Sequence, residues 1–428
     1  MTSYSQLDGG PQLVLAAGIR TPMARAGGMF AKENVAHLGA VTTRELIAQT
    51  GIDPAIINEV ITGCVGQPFD QANVSRVIGL RAGIPQHVPA RTVARNCASG
   101  MEAITTAASN ILSNMGDVYI CNGVEIMSSY PLLFGDKMTE FFTELMKAKS
   151  GMRRLKLFSS LRLSFLKPKI ALLGGLTDPT NGMIMGKTAE LIARDFQITR
   201  EECDAYALES HRRAQVARDN KRLAKEIMPV VALGTKRGGK SMRNDDGIRV
   251  DMPIEKLAKM KPYFEKPDGI VTIGNACGIT DAAVSLLLTT KERAESLGLT
   301  PLAGIRSFAW EGMDPSRMGL GPVYSSDTAL KKAQLELSDI DFIELNEAFA
   351  AQVIGCVRAF EKQGMGEINM DTLNPNGGAI ALGHPVGATG ARLLLTLAHQ
   401  LIESDKQFGL ATLCIGGGQG GSVILERL

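Results

Sequence analysis

Apolar positions along this chain recur with two periods, and the two alternate. Leu13-Val14-Leu15-Ala16-Ala17 is an unbroken apolar run that predicts a buried strand, and Gly18-Ile19-Arg20-Thr21-Pro22 carries the turn residues that predict its end. Residues 37–50 have helical spacing and leave through Gly51-Ile52-Asp53-Pro54, a Gly stop followed by a Pro restart. Residues 57–64 predict a second strand and 73–82 a second helix. Thr92-Val93-Ala94-Arg95 then leads into Asn96-Cys97-Ala98-Ser99-Gly100. Met101, Ile104, Ala108 and Ile111/Leu112 mark a helix over 101–112, and 118–123 predicts another buried strand. Strands alternating with helices predict a parallel sheet with both faces covered.

The alternation breaks after Met127. Up to about Gly278 the chain has more loops, more charge and fewer strand signals, which predicts an inserted domain. Within it, 147–169 carries Lys147, Lys149, Arg153, Arg154, Lys156, Arg162, Lys167 and Lys169 with no acid, interleaved with Leu155, Phe158, Leu161, Phe165 and Leu166. Basic residues with an apolar stripe suit an anionic membrane surface or a partner protein. The alternative is a solvated basic helix or loop that packs on its own protein. Thr199-Arg200-Glu201-Glu202 predicts a capped helix over 205–217.

From Val284 the strand–helix pattern resumes. Residues 340–345 predict a strand followed at once by Asn346-Glu347-Ala348-Phe349. Residues 377–392 form a glycine-rich stretch read as a loop, holding His384. A helix over 392–402 and a strand over 408–413 end in Cys414-Ile415-Gly416-Gly417-Gly418. A helix, a short link and a strand with a reactive end occur at both 101–123 and 393–416. That echo suggests a duplicated unit with reactive loops at equivalent ends of a sheet.

Composition narrows the class. At 428 residues, 45% hydrophobic and 21% charged, the chain is expected to be globular with more than one subdomain. A net charge of +2 argues against a nucleic-acid footprint. The seven cysteines are scattered, none in a CxxC pair or near a His at zinc-ligand spacing, so neither a disulfide framework nor a zinc site is expected, and a reducing, cytoplasmic setting is. Residues 1–12 lack the basic-then-apolar pattern of a secretory signal, and no apolar run reaches membrane-spanning length.

Cys97 is the first candidate for chemistry. At a helix N-terminus, free N–H groups and the helix dipole favour a thiolate, the nucleophilic form. His384, in Gly-His-Pro, can serve as its base or be a loop hydrogen-bonder. The glycines around Gly416 can offer N–H groups to an oxyanion, make a tight turn or cradle a phosphate. The Walker pattern is absent. Asn346 can donate to a carbonyl oxygen or cap a helix.

The Cys97 motif, Asn-Glu-Ala-Phe, Gly-His-Pro-x-Gly-x-Thr-Gly and the closing Cys-x-Gly-Gly-Gly-x-Gly occur here in the order seen in thiolases, and the chain resembles that family from Ile19 to its end. The 147–169 stretch also resembles the thiolase subunits of trifunctional-type fatty-acid oxidation complexes. The resemblance implies an α/β, duplicated αβαβα layered fold with an inserted loop domain. It would divide into an N-terminal half, 1–126 completed by 279–301, a loop domain, 127–278, and a C-terminal half, 302–428. It implies a 3-ketoacyl-CoA thiolase of fatty-acid β-oxidation, or alternatively an acetoacetyl-CoA thiolase that condenses two acetyl-CoA. Cys97 would be the nucleophile, His384 its base and Cys414 the second acid/base. One oxyanion site would use the Cys97 and Gly416 N–H groups, the other His384 and a water held by Asn346. Contacts to coenzyme A, the co-substrate, would fall to Arg249, Ala276, Cys277, Ala348, Phe349 and Met185. No metal or bound prosthetic group is implied. A homodimer or homotetramer is, with a hydratase/dehydrogenase subunit as candidate partner. Cys277 stands where the family often has serine, and Ile184 where a histidine commonly precedes Met-Gly. Asn346 stands where the trifunctional-type subunits usually have histidine.

Overall fold

The computed structural model describes residues 10–232 and 241–428. Most of the 1–12 stretch read for a signal lies outside them. Nine main strands form one continuous sheet. Its order is Phe342–Leu345, Phe408–Ile415, Gln419–Glu426, Ala303–Gly312, Leu13–Arg20, Thr280–Thr290, Val118–Ile126, Glu59–Gly63 and Ala90–Val93, with the short Ala24–Arg25 strand paired to Thr280–Thr290. The halves join through only two register pairs, Val14 with Gly304 and Leu15 with Ala303.

The fold is α/β in five layers, as the resemblance implied. The Ser99–Leu112 and Val386–Ser404 helices share one core with the inner faces of both half-sheets, including Met101, Ile104, Leu394, Tyr119, Leu286 and Leu413. The Val35–Thr50 and Val74–Ala82 helices cover the outer face of the N-terminal half. Gly321–Ala333 and Ala350–Lys362 cover that of the C-terminal half. Covering a sheet with helices on both sides is what lets its strands be buried along their length, as Val118–Ile126 is at every position.

Three expectations are corrected. The sheet is mixed, not parallel. Glu59–Gly63 runs parallel to both its neighbours and Phe342–Leu345 parallel to Phe408–Ile415, but Thr280–Thr290 lies antiparallel between Leu13–Arg20 and Val118–Ile126. That strand returns to the sheet after the long insertion, so local alternation could not reveal its direction. The first strand continues to Arg20 instead of turning at Gly18. A Cβ at Gly18 would lie 2.4 Å from Leu286 Cδ2 and 2.6 Å from Leu395 Cδ1, so this glycine permits close packing and makes no turn. Arg20, fully buried, is held by Glu226 and Asp245, each at 2.7 Å.

The third correction bears on the site. Residues 377–392 are mostly helical: Ala379–Leu382 is a short helix, and Val386–Ser404 begins six residues before the predicted start. A Cβ at Gly390 would come within 2.6 Å of the Met101 backbone nitrogen, and one at Gly100 within 2.7 Å of the Gly387 oxygen. The glycines serve helix–helix contact. The capped helix is present as Arg200–Asp219, with the Thr199–Glu202 capping box formed. The basic stretch divides into a helix, Gly151–Ser159, and a 3₁₀ turn, Leu163–Leu166.

Candidate active site

The loop after Ala90–Val93 makes a tight turn that presents Cys97. Asn96 adopts φ 44°, in the left-handed region that Asn tolerates better than most residues. Ser99 Oγ closes the turn, accepting from the Arg95 N–H at 2.9 Å and donating to the Asn96 oxygen at 2.8 Å. Cys97 thus sits two residues before the Ser99–Leu112 helix, as its sequence implied. The expected thiolate is not favoured, however. Burial raises the thiol above its ordinary value, outweighing the Gly416 and Cys97 backbone N–H groups that bear on the sulfur and pull the other way. A neutral thiol in this site needs a base.

The second loop comes from the opposite half. Phe408–Ile415 and Gln419–Glu426 are joined by a hairpin in which Gly417 and Gly418 take φ of 91° and 78°, and Met313 N–H donates to the Gly418 oxygen at 2.7 Å. Asn96 Nδ2 donates to the Gly416 oxygen at 2.8 Å, which ties the two loops together. Cys414, the residue two before Gly416, is buried. Burial holds its thiol well above the ordinary value, with Cys97, Cys356 and Cys277 adding to the shift. Cys277 is pushed up to about 12 by burial, then by Cys97. Four thiols therefore share one electrostatic neighbourhood around Cys414.

His384 follows Gly383, whose φ of 112° suits only glycine. The His384 N–H donates to the Gly278 oxygen at 3.2 Å. Its Nδ1 lies 2.7 Å from Thr389 Oγ1, and that hydroxyl donates to the Pro385 oxygen at 3.0 Å. With its one proton committed there, Thr389 can only accept from Nδ1–H, so Nε2 carries a lone pair. Nε2 is buried and has no protein partner. Burial, with Arg392 adding to it, lowers the imidazole from 6.5 to about 3, which keeps the ring neutral.

Asn346 ends the Phe342–Leu345 strand, with its N–H on the Thr412 oxygen at 3.0 Å. It caps no helix, since the next helix begins at Ala350. Its side chain is fully buried, yet neither Oδ1 nor Nδ2 has a protein partner. A buried amide left so is costly unless a water or substrate atom meets it. The adjoining Asn346–Phe349 loop is zipped to Asn275–Gly278: Cys277 N–H donates to the Ala348 oxygen at 3.0 Å and Ala350 N–H to the Asn275 oxygen at 2.9 Å. Ala276 pairs with Phe349, and Gly278 holds His384.

Above Cys97 lies a cavity of about 220 Å³, lined by Val65, Asn96, Met127, Tyr130, Leu172, Leu176, Asp178, Met185, Val386, Gly416 and neighbouring residues. Its walls are mostly apolar. Sequence reading placed Cys97, Met185 and Gly416 here and missed Asn96, Tyr130 and Val386. It also missed Glu125, a carboxylate inside the fully buried Val118–Ile126 strand, which was a legible signal. Glu125 accepts from the N–H groups of Val65, Gly66 and Gly387 and from the Tyr130 hydroxyl, at 2.8 to 3.1 Å, and so braces the cavity wall. Ala348 and Phe349 are buried beside Met185 and Cys414. Arg249 is exposed outside the cavity walls, its N–H on His211 Nδ1 at 3.2 Å. All seven cysteines are free, and the described residues contain no cluster able to hold a metal ion and no helix long and apolar enough to cross a membrane.

Comparison with known proteins places this arrangement. The family model for the thiolase N-terminal domain matches residues 13–292, and that for the thiolase C-terminal domain matches residues 299–427. A probable acetyl-CoA acyltransferase of Staphylococcus epidermidis is 39% identical over 416 residues, covering 97% of this chain and 99% of that protein. An acetyl-CoA acetyltransferase of Syntrophomonas wolfei is 42% identical over 420 residues, covering 97% and 99%. Among solved structures, an acetyl-CoA acetyltransferase from Syntrophomonas wolfei superposes with a TM-score of 0.89 at 35% identity, covering 98% of this chain and all of that one. Human mitochondrial 3-ketoacyl-CoA thiolase in complex with CoA superposes with a TM-score of 0.86 at 33% identity, covering 98% of each.

Proposed function

This chain belongs to the thiolase family of acyltransferases, and from that premise we propose that it is a degradative 3-ketoacyl-CoA thiolase that cleaves its substrate with coenzyme A, as in fatty-acid β-oxidation. The observation that carries the reading is the mostly apolar cavity directly over Cys97, a fitting receptacle for an acyl chain.

In this reading the neutral His384 takes the Cys97 proton at Nε2. The sulfur attacks the keto carbon, whose oxyanion is met by the Cys97 and Gly416 N–H groups, while the His384 Nε2–H and a water on Asn346 meet the thioester oxygen that takes up charge as the carbon–carbon bond breaks. The bond between the keto carbon and the adjacent carbon breaks, and its electron pair collects a proton from Cys414. Acetyl-CoA leaves, and the acyl group stays on Cys97. Coenzyme A enters, Cys414 takes its thiol proton, and the new thiolate attacks the acyl carbon. The Cys97 and Gly416 N–H groups, already beside the sulfur, stabilise that second oxyanion. Raised thiols suit these roles: Cys414 holds a proton to give, and Cys97 gains one leaving-group proton back from His384. Ala276, Cys277, Ala348, Phe349, Met185 and Arg249 remain proposed contacts to coenzyme A. The half-buried edge strand Ala90–Val93 suits pairing between copies in a homodimer or dimer of dimers.

The second reading, condensation of two acetyl-CoA, is favoured by the acetyltransferase names of the Syntrophomonas relatives. Thiolysis of 3-ketoacyl-CoA substrates of increasing chain length separates the two. Activity sustained or rising with length supports degradation; activity confined to acetoacetyl-CoA overturns it in favour of condensation.

A further inference from the structure

A second cavity adjoins the one over Cys97. The two share Val65, Tyr130 and Gly175 as walls. The Cys97 cavity, at about 220 Å³, falls below the roughly 300–1,000 Å³ usual for a site that encloses a drug-sized ligand. It suits a short acyl chain. Its neighbour holds about 470 Å³, and Val35, Pro68, Phe69, Pro131 and Ala171 supply its apolar surface. Phe69 is 98% exposed, so this second cavity opens to solvent on that side.

Tyr130 stands in both linings because of the chain before it. The Val118–Ile126 strand runs into a single 3₁₀ turn, Met127–Ser129, and the Tyr130 N–H closes that turn on the Met127 oxygen at 3.4 Å. The turn brings the phenol back to the strand, where its hydroxyl donates to Glu125 Oε1 at 2.9 Å. Gly66 makes room for the ring, since a Cβ there would lie 2.1 Å from Tyr130 Cε1. Glu125 also fixes Gly66, whose N–H donates to Oε1 at 2.8 Å. Burial, and then the Glu125 charge, raise the phenol and keep it a neutral donor. The ring is half-buried, and rotation about its side-chain torsions would take it from between the cavities.

We propose that Tyr130 sets the acyl-chain length this enzyme accepts, and that the second cavity receives the far end of chains too long for the cavity over Cys97. The shared walls make the two spaces continuous once the ring moves. A short chain ends against Tyr130. A longer one turns the ring away from Glu125, and burial against Val35, Pro68 and Ala171 offsets the lost hydrogen bond. The proposal rests on the first cavity being the acyl site, and not on the direction of the reaction.

The test takes the ratio of kcat/KM for 3-ketohexadecanoyl-CoA to that for acetoacetyl-CoA in the full-length enzyme. Tyr130→Ala joins the cavities and is expected to raise this ratio about tenfold. Tyr130→Phe keeps the ring and drops only the Glu125 bond, so it is expected to raise the ratio less. Ala171→Trp fills the second cavity and is expected to lower it. Equal losses on both substrates in all three variants would make Tyr130 a structural brace and overturn the proposal. Phe69→Trp gives a readout without turnover at an exposed position, against the single native Trp310. Palmitoyl-CoA is expected to shift its emission to the blue, and acetyl-CoA is not. Emission that answers to neither, or to both alike, overturns the proposal. So does emission that shifts with protein concentration alone, which would seat a second copy in the cavity. Wild-type enzyme confined to acetoacetyl-CoA would defeat only the degradative reading, because the Tyr130→Ala ratio still decides this one.

Discussion

His384 shows how one buried ring can be read for chemistry. Its Nδ1 proton is held by Thr389, and its Nε2 faces no protein donor. With its value lowered from 6.5 to about 3, the ring stays a base through the range where a solvated imidazole would protonate. The acid limb of kcat/KM is therefore expected well below 6.5; a limb centred there that His384→Asn removes would contradict the assignment. The linked effect on stability has a definite sign. The unfolded chain takes this proton as pH falls through 6.5, but the folded chain does not until about 3, so His384 lowers stability across that window and costs nothing above it. The sequence offered His384 as base or loop hydrogen-bonder; its Nδ1 is a hydrogen-bonder to Thr389, and its unpartnered Nε2 supports the proposed role of base. Cys97 was legible in position but not in state. A helix N-terminus is visible in a sequence, whereas the burial that outweighs it depends on walls brought from Val65, Met185 and Val386.

At the scale of elements, most strands and helices were legible because apolar periodicity is local. The stretch from Gly377 to Arg392 was not. Glycines usually punctuate loops, but Gly390 packs against Met101 of the Ser99–Leu112 helix and Gly387 against Val124 of the Val118–Ile126 strand. Only those distant partners give them that meaning. Gly390→Ala would press a methyl into the Met101 backbone at 2.6 Å, and it is expected to cost about 1–3 kcal/mol, read as a lowered thermal midpoint. Because this contact joins the helices that follow Cys97 and His384, activity should fall more than the loss of folded protein explains. A variant of wild-type stability and activity would show that the helices can separate without consequence.

For the whole molecule, the duplicated halves explain why the site is where it is. The loops after Ala90–Val93 and Phe408–Ile415 come from opposite halves and meet through the Asn96–Gly416 hydrogen bond. The echo of the two halves was visible in the chain, but the antiparallel Thr280–Thr290 strand inside the first of them was not. Its pairing is set by partners more than a hundred residues away, across an insertion that local patterns cannot span. The central claim is that this assembly makes Cys97 carry the acyl group. Incubation with a 3-ketoacyl-CoA in the absence of coenzyme A, followed by intact mass and peptide mapping, tests it most directly. The account predicts release of acetyl-CoA and an acyl adduct on the Cys97 peptide that added coenzyme A removes. An adduct on Cys277 or Cys414 instead, or product formation that persists in Cys97→Ala, would contradict it.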